Sequence, residues 1–317
     1  MDHIPNTDTP LVSFVLPAYK ASWISEAIDS ILAQTYHNIE LIIVNDQSPE
    51  PIRDIVAQYD DFRIRYYENE ENIGGKSLVA QWEKCISYVK GEYLVIASDD
   101  DIYHPRFTTS CLDLAFKYPT IDIVRARTEQ INEQGKLLAT DYNFPELMNQ
   151  TEYIYRYRVG SAFICIGNFL FITSTLVKKG IVNFPKALGS DIATTIDLAE
   201  NGIANTNDIL FSFRHSNQHI SGGFNEPEKR AKAITSLFAW LKALSYQAPK
   251  NKYDEFHLSK LTDQDWDEKC NYDLYNQVFK HTRLTDILFS SYARPLSASL
   301  RCSFLLQRFK DTIKRLI

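Results

Sequence analysis

Hydrophobic and polar positions follow two alternating patterns over residues 11–118. Short continuous apolar runs, which are typical of strands buried on both faces of a parallel sheet, are followed by longer segments whose apolar positions recur every three or four residues, as in a helix. The strand-like runs are residues 11–17, 40–46, 63–68 and 92–98, and the helix-like segments are residues 21–34, 51–59, 77–90 and 105–118. Strand and helix alternate four times, which predicts right-handed crossover units on a mostly parallel sheet, an α/β fold.

The second half of the chain has a mixed pattern that becomes helical. Residues 122–138 predict two strands joined by a turn at Gly135, and residues 184–202 predict a loop followed by a helix. Residues 208–223 predict a strand that runs into a polar loop. The helical period dominates after that loop.

Length and composition are those of a globular protein with one large or two modest domains. The chain has 317 residues, of which 44% are hydrophobic and 23% are charged. The change of pattern predicts an α/β domain over residues 1–225 and a helical C-terminal extension over residues 226–317.

Charge and cysteine usage exclude several classes of protein. The net charge of −6 argues against a nucleic-acid-binding protein, which usually carries a basic field. No apolar stretch approaches the roughly 20 residues of a membrane-spanning helix, and the N-terminus lacks the features of a signal peptide. The five cysteines lie far apart without a C-x-x-C pair, which excludes a zinc knuckle. We expect a cytoplasmic protein.

Three polar clusters follow the first, second and fourth predicted strands. They are "PAYK" at residues 17–20, "NDQS" at residues 45–48 and "SDDD" at residues 98–101. Because ligands of parallel sheets bind beyond the carboxyl ends of the strands, we expect these clusters to converge. Adjacent acids after a buried strand suit a divalent cation, since a hard ion takes oxygen ligands and offsets their repulsion. The alternatives for the acids are a solvated turn or a cap of the next helix.

Four segments, in order along the chain, resemble the family-two glycosyltransferases. They are "VSFVLPAYKASWISEAIDSILAQTYHNIELIIVNDQS", "NIGGKSLVAQWEKCISYVKGEYLVIASDDDIYHP", "SDIATTIDLAENG" and "FRHSNQHIS". The resemblance covers residues 10–223 and implies the GT-A fold, a Rossmann-like, mostly parallel sheet flanked by helices. It also implies an inverting enzyme that uses a nucleotide-sugar donor, with UDP as the expected nucleotide and Mg²⁺ or Mn²⁺ as the cofactor.

The end of the first predicted strand matches the family's P-x-Y-N motif. The match implies that Pro17, Ala18 and Tyr19 line the pocket for the nucleotide base. Tyr19 can stack on a uracil, as aromatic side chains do on base faces, and the alternative is a tyrosine at the edge of the core. Lys20 stands where the family often has Asn, which leaves the role of this position open.

Two further positions are implied donor contacts. "NDQS" matches the family's D-D-G-S, which makes Asp46 the acid that accepts a hydrogen bond from the base, while Asn45 replaces the first acid. Lys76 follows two glycines and can reach the diphosphate as a mobile point charge. The alternatives are a turn residue for Asp46 and a solvated lysine for Lys76.

The acidic cluster lies over the family's L-D-x-D-D-x-x-x-P motif, which implies the metal site. Asp100 is then the acid that touches the metal, Asp101 supports the metal site, and Asp99 lies near the ribose and phosphate. Ser98 stands where many relatives carry the first Asp, so the usual D-x-D is shifted. A metal there would bridge the diphosphate oxygens and stabilise the leaving nucleotide.

The last two matching segments imply the catalytic base and a phosphate contact. Asp191 occupies the position of the family's catalytic acid, and one carboxylate acting as base implies a single displacement with inversion. Asp191 can also be an N-cap, and both roles can coexist. Arg214 is the implied phosphate contact by its fork of donors. His215 and His219 are candidates for a further metal ligand, or ordinary loop histidines.

The C-terminal segment lies outside the resemblance. Residues 301–317 combine apolar residues with five basic ones, Arg301, Arg308, Lys310, Lys314 and Arg315. They predict either an amphipathic helix on an anionic membrane surface, where lipid-linked acceptors reside, or a helix used for packing or oligomer formation.

The chain is therefore predicted to be an inverting glycosyltransferase of the hexosyl or N-acetylhexosaminyl class. Its acceptor would be a hydroxyl of a glycan or of a lipid-linked molecule at the inner face of the cell membrane. One rival is a non-catalytic nucleotide-sugar-binding protein, which the substitutions at Asn45 and Ser98 keep open. The other is a sugar nucleotidyltransferase, which would need a glycine-rich loop with an arginine where the chain has "LPAYKASW".

Overall fold

A mixed β-sheet with flanking helices is the main feature of the computed structural model, which describes residues 9–216 and 226–316. Within these residues the strands are β1 (Val12–Ala18), β2 (Ile39–Asn45), β3 (Ile64–Glu68), β4 (Tyr93–Ile96), β5 (Ile102–Tyr103), β6 (Ile123–Ile131), β7 (Leu137–Thr140), β8 (Leu147–Met148), β9 (Phe169–Ile172) and β10 (Ile203–Arg214). The helices are α1 (Ile24–Leu32), α2 (Ile52–Val56), α3 (Leu78–Ile86), α4 (Phe107–Lys117), α5 (Gln150–Arg158), α6 (Thr173–Lys179), α7 (Ser190–Leu198), α8 (Pro227–Ser245), α9 (Lys252–Leu258), α10 (Asp263–Gln277), α11 (Leu284–Phe289) and α12 (Ala298–Leu316). The predicted α/β class is confirmed.

All strands of the described residues belong to one sheet. Its main order is β3, β2, β1, β4, β9, β6, β10 and β5, with β7 beside β6 and β8 beside β10. The first four of these run parallel, and Val12 lies opposite both Ile39 on β2 and Tyr93 on β4. The short strand β9 runs antiparallel between β4 and β6. The hydrophobic pattern gave no prediction for β9.

Alternation along β1 separates two buried faces of the sheet. Phe14 is fully buried, and its ring centroid lies 5.3 Å from that of Tyr103 and 6.2 Å from that of Phe107 on α4. Ser13 points to the opposite face, is also fully buried, and donates a hydrogen bond to Glu40 at 2.6 Å. Burial on both faces explains the continuous apolar run, and each large apolar side chain in such a position stabilises the fold by about 2 kcal/mol.

The strand order changes direction at β1. The chain moves from β1 outward to β2 and β3 and then returns to β4 on the other side of β1. At such a point the loops after the two central strands diverge and leave a crevice, where ligands of α/β sheets bind. The polar clusters at residues 17–20 and 98–101 follow these two strands. The topology therefore brings them to one place.

The described chain forms two compact units. The first consists of the described residues up to Val182 together with Thr194–Ser216, and it contains the whole sheet. The second consists of Asn183–Ala193 together with the described residues from Glu226 onward. The domain boundary placed at residue 225 from the sequence stays a prediction.

Aromatic contacts hold the helices of the second unit together. Phe238 on α8 and the fully buried Trp266 on α10 lie 6.0 Å apart between ring centroids. Phe304 on α12 lies 5.2 Å from Phe279 by the same measure. None of the helices in the described residues is both long and apolar enough to cross a bilayer.

Candidate functional site

The loops after β1 and β4 are joined by a cluster of charges. Asp99 Oδ2 accepts hydrogen bonds from the backbone N–H of Tyr19 at 2.9 Å and of Lys20 at 2.7 Å. The Lys20 ammonium lies 3.1 Å from Asp99 Oδ1 and 2.5 Å from Asp100 Oδ2. Asp99 and Asp100 are only 5% and 3% exposed, so this cation neutralises charge that water barely reaches. Two of the predicted acids therefore converge on one point that holds a positive charge.

Burial and mutual repulsion shape the ionisation of this cluster. Burial raises the pKa of Asp99 above its ordinary value, while the Lys20 ammonium opposes the rise. Burial, with the negative charge of Asp100, raises the pKa of Asp101 well above its ordinary value. For Lys20, burial disfavours the ammonium, but Asp99 and Asp100 outweigh it and raise the pKa. The lysine is therefore held in its charged form.

Arg214, the last residue of β10, donates hydrogen bonds to the acidic loop at residues 98–101. Its backbone N–H donates to Asp101 Oδ1 at 2.9 Å, and its Nε donates to the carbonyl of Asp100 at 2.9 Å. Its Nη2 donates to Glu26 Oε2 at 2.6 Å, and the guanidinium lies 5.3 Å from the centroid of the Trp23 ring. Arg214 is 1% exposed. Contact between Arg214 and a diphosphate stays a prediction, and it requires Nη2 to exchange Glu26 for the phosphate.

Asp46, at the end of β2, organises the loop that precedes α3. Its Oδ1 accepts hydrogen bonds from Asn69 Nδ2 and from the Ile73 N–H, both at 2.8 Å, and its Oδ2 accepts one from the Gly74 N–H at 2.7 Å. A β-carbon at Gly74 would lie 2.8 Å from Asp46 Oδ2, so only glycine allows this approach. The Asp46 side chain is buried, and after these three hydrogen bonds its Oδ2 keeps one lone pair for a further N–H donor.

The other predicted donor contacts differ in exposure. Pro17 and Ala18 are the last residues of β1, Pro17 is half-buried, and Ala18 is fully buried. Tyr19 is 43% exposed, which leaves a ring face available for stacking. Lys76 is exposed and its ammonium lies 2.5 Å from Glu71 Oε2. Their roles toward a nucleotide stay predictions.

Asp191 lies in the first turn of α7 and belongs to the second unit. Its Oδ1 accepts a hydrogen bond from the Ile192 N–H at 2.8 Å, and the preceding Ser190 Oγ accepts one from the Phe184 N–H at 3.0 Å. Burial raises the pKa of Asp191 to about 6, against local hydrogen bonds that lower it. A carboxylate with a pKa near neutrality is suited to take up a proton. The catalytic role of Asp191 stays a prediction.

The residues present are compatible with a divalent ion that takes most of its ligands from a substrate. Within residues 9–216 and 226–316, no three His, Cys, Asp or Glu side chains are arranged to hold a metal ion. The ammonium between Asp99 and Asp100 nevertheless shows that two carboxylates can share one cation. Mg²⁺ is commonly bound by one or two carboxylates together with phosphate oxygens.

The two candidate histidines are not both described. His215 Nε2 lies 2.7 Å from Gln130 Oε1, and its ring packs at 5.1 Å from that of Phe213. His219 lies outside the described residues. A metal-binding role for either one stays a prediction.

Sequence reasoning missed two residues that complete the site. The family match leaves the role of Lys20 open, although a lysine one strand away from three acids is a signal once β1 and β4 are placed side by side. Glu26 on α1, which pairs with Arg214, has no signal in the sequence because 188 positions separate the two residues.

The chain is similar to known glycosyltransferases. The family described as "Glycosyl transferase family 2" matches residues 13–180 of the chain. A Rickettsia typhi protein named "Uncharacterized glycosyltransferase RT0329" is 39% identical over 120 residues, which make up 38% of this chain and 36% of that protein. The matching segment thus spans little more than a third of this relative's length.

Two solved structures are similar to most of the chain at low sequence identity. The crystal structure of S. aureus TarS 1-349 in complex with UDP-GlcNAc has a TM-score of 0.64 and 16% identity, and the match covers 93% of this chain and 88% of that one. The mannosyltransferase PcManGT from Pyrobaculum calidifontis in complex with GDP-Man and Mn²⁺ has a TM-score of 0.55 and 17% identity, with 97% and 88% covered. These similarities confirm the expected GT-A fold class.

Proposed function

The chain belongs to glycosyltransferase family 2, and on this premise we propose that it is an inverting, metal-dependent enzyme. It moves a hexose or N-acetylhexosamine from a nucleotide diphosphate sugar to a hydroxyl of a glycan or lipid-linked acceptor. UDP is the proposed nucleotide. The TarS complex with UDP-GlcNAc and the PcManGT complex with GDP-Man and Mn²⁺ support a nucleotide-sugar donor and a divalent ion.

The observation that carries the proposal is the convergence of buried acids at the crevice between β1 and β4. The parallel strands β1 and β4 bring Lys20 next to Asp99 and Asp100, and the two acids share this one cation. Asp100, with Asp101 in support, would hold Mg²⁺ or Mn²⁺ against the donor diphosphate. When bound, such an ion supplies positive charge that offsets the charge on the departing nucleotide.

The chain's own residues provide the rest of the donor site. The nucleotide base would stack on the exposed ring of Tyr19, beside Pro17 and Ala18. The imide N–H of the base would donate a hydrogen bond to Asp46. Lys76 would leave Glu71 for the diphosphate, because exposed ion pairs contribute little and exchange easily. Asp99 would lie near the ribose, and Arg214 is the second phosphate contact.

Asp191 is the proposed general base. Its pKa of about 6 leaves most of the carboxylate charged at neutral pH, so it can accept the proton of the acceptor hydroxyl. A single carboxylate acting on the face opposite the leaving group gives inversion at the anomeric carbon. Asp191→Asn should keep donor binding and lower turnover by a factor of about 10² to 10⁴.

A thermal-shift panel tests the donor and the metal together. UDP, UDP-GlcNAc, UDP-Glc and GDP-Man are each added with and without Mn²⁺, and slow hydrolysis of the stabilising donor is then measured. We expect a UDP compound with Mn²⁺ to raise the melting temperature most. Asp100→Asn should abolish the Mn²⁺-dependent part of the rise in melting temperature. Asp113→Asn, at an exposed position of α4, should not. Stabilisation without any donor hydrolysis would favour the non-catalytic rival, and full hydrolysis by Asp100→Asn would refute the metal assignment.

The last helix has an apolar face that the described residues leave in solvent. Phe304 packs inside the second unit against Phe279. On the outside, Leu306, Phe309 and Ile313 follow one another at helical spacing and are 64%, 66% and 42% exposed. A helix that is apolar on its outer face needs a partner for that face.

Charge identifies the partner that we propose for this face. Residues 283–316 contain seven Lys and Arg and two Asp, a net charge of +5, whereas the whole chain has −6. Exposed apolar residues next to basic ones match an anionic membrane surface. We propose that α12 docks on the inner face of the cell membrane, close to lipid-linked acceptors.

Vesicle sedimentation tests the membrane contact. Lys310→Glu combined with Lys314→Glu should weaken binding to phosphatidylglycerol vesicles about tenfold or more, because each basic residue near an anionic surface contributes about 1 kcal/mol. Lys252→Glu with Lys260→Glu changes net charge equally at exposed positions and should have a smaller effect. Equal binding to neutral vesicles, or a dimer in light scattering that Phe309→Ser dissociates, would contradict the membrane and favour an oligomer helix.

A further inference from the structure

Lys20 occupies the point at which the candidate metal-ligating carboxylates converge. Its ammonium lies 2.5 Å from Asp100 Oδ2 and 3.1 Å from Asp99 Oδ1. Both carboxylates are buried, and the Lys20 side chain is 17% exposed. A divalent ion cannot share these two oxygens with an ammonium, since like charges at that distance repel strongly.

We propose that Lys20 is a built-in cation that excludes the divalent ion from the free enzyme and makes metal binding conditional on the nucleoside diphosphate. This inference rests on the proposed function, because it assigns the metal to Asp100. It concerns a position at which the chain departs from the family, which often has a neutral Asn there.

The free site offers a divalent ion few oxygens. Asp99 Oδ2 already accepts the N–H groups of Tyr19 and Lys20, which leaves Oδ1 and the Asp100 carboxylate to the ammonium. Asp101 Oδ1 accepts the N–H of Arg214 at 2.9 Å. Taking these oxygens from Lys20 would leave an ammonium without a counter-charge beside a new dication.

A diphosphate would remove both obstacles, which are the shortage of oxygen ligands and the ammonium without a counter-charge. It brings several negative charges and additional oxygen ligands for the ion, and it offers the displaced ammonium a new anionic partner. The flexible stem of Lys20 and its partial exposure allow that exchange. We therefore expect the nucleotide to increase the affinity for the metal, and the metal that for the nucleotide. Lys20 is the residue of the protein that causes this coupling.

Mn²⁺ binding without nucleotide tests the inference. The free Mn²⁺ signal in electron paramagnetic resonance is titrated with wild type, Lys20→Met and Lys84→Met, the last at an exposed lysine of α3. We expect weak binding to wild type and to the Lys84 variant, and an affinity about tenfold or more higher for Lys20→Met, since a charge-assisted hydrogen bond to the competing cation is lost. Adding UDP should raise the Mn²⁺ affinity of wild type far more than that of Lys20→Met.

The outcomes separate this inference from the proposed function. If wild type and Lys20→Met bind Mn²⁺ equally without UDP, and both bind it tightly with UDP, the metal site stands and the role of Lys20 is refuted. If neither binds Mn²⁺ even with UDP, both are refuted.

A measurement on the unmodified protein covers the case in which Lys20→Met does not fold. Amine acylation of wild type, read by mass spectrometry, should label Lys20 slowly, and Mn²⁺ at high concentration should increase the rate as the ammonium is displaced. Lys76, which is exposed, is the internal reference and should not respond to Mn²⁺. A Lys20 rate that is unchanged by Mn²⁺ would overturn the inference.

Discussion

Replacing Asp191 by Asn should stabilise the protein while removing its catalytic base. Burial raises the pKa of Asp191 from 3.8 to about 6. Such a rise corresponds to about 3 kcal/mol that disfavours the charged form in the folded state. The side chain is partly exposed, which makes this figure an upper limit, and we expect a gain of about 1–3 kcal/mol at neutral pH. Asn keeps the oxygen that accepts the Ile192 N–H.

The gain should depend on pH in a direction that follows from the raised pKa. A carboxyl group whose pKa is higher in the folded than in the unfolded state stabilises the fold while it is protonated, and this contribution is lost as the pH rises from about 4 to about 6. Below that range Asp191 and Asn are both neutral, and the two proteins should be almost equally stable. Above it the variant should be more stable by a constant amount.

Urea unfolding of both proteins at about pH 4.5 and pH 7.5 measures the effect. Glu255→Gln, at an exposed position of α9, is the matched control, and its effect should stay within about 0.5 kcal/mol at both pH values. A variant that is no more stable than wild type at pH 7.5, or whose advantage is the same at both pH values, would show that the burial argument is wrong. Turnover by wild type should fall as the pH drops through about 6, because the base becomes protonated.

Two further substitutions test the scaffold of the site, and a third tests a buried ion pair of the fold. Gly74→Ala should weaken nucleotide binding, measured by calorimetry, because a β-carbon would lie 2.8 Å from Asp46 Oδ2; unchanged affinity would contradict the close approach. Arg125→Met should lower the free energy of unfolding by about 3–5 kcal/mol, because it leaves the buried Asp141 without its ion-pair partner, and a loss below about 1 kcal/mol in urea unfolding would contradict this. Arg214→Met should reduce Mn²⁺ affinity in the presence of UDP, because the side chain no longer braces the acidic loop, and wild-type affinity would refute that role.

The first half of the fold could be read from the hydrophobic pattern. Each predicted strand and helix between residues 11 and 118 has a counterpart, from β1 to α4, and the observed helices are shorter at their ends. The pattern is strong there because β1, β2 and β4 are mostly buried on both faces and the helices on one. The strands β5 and β8 left no such signal, since two residues carry no period, and β9 was not predicted either.

The candidate site could be read only in part. The acids at residues 99–101 and Asp46 were found because charge directly after a buried strand is conspicuous, and the family resemblance supplied their roles. The hydrogen bonds of Arg214 to the acidic loop and to Glu26 could not be predicted, because residue type does not encode hydrogen-bond geometry. The roles of Asp46, Asp100 and Asp191 stay predictions until the variants are measured.

By itself the amino-acid sequence determined the class of the fold and the presence of acids at the edge of its sheet. Apolar runs that need burial on both faces require a covered parallel sheet, and acids placed directly after such runs must lie at the strand ends. Only the tertiary structure decided that Lys20 and Asp100, 80 positions apart, share one hydrogen bond, because β1 and β4 become neighbours through the crossover. Charges that meet in a buried crevice must be neutralised there, and which cation does so depends on the strand order.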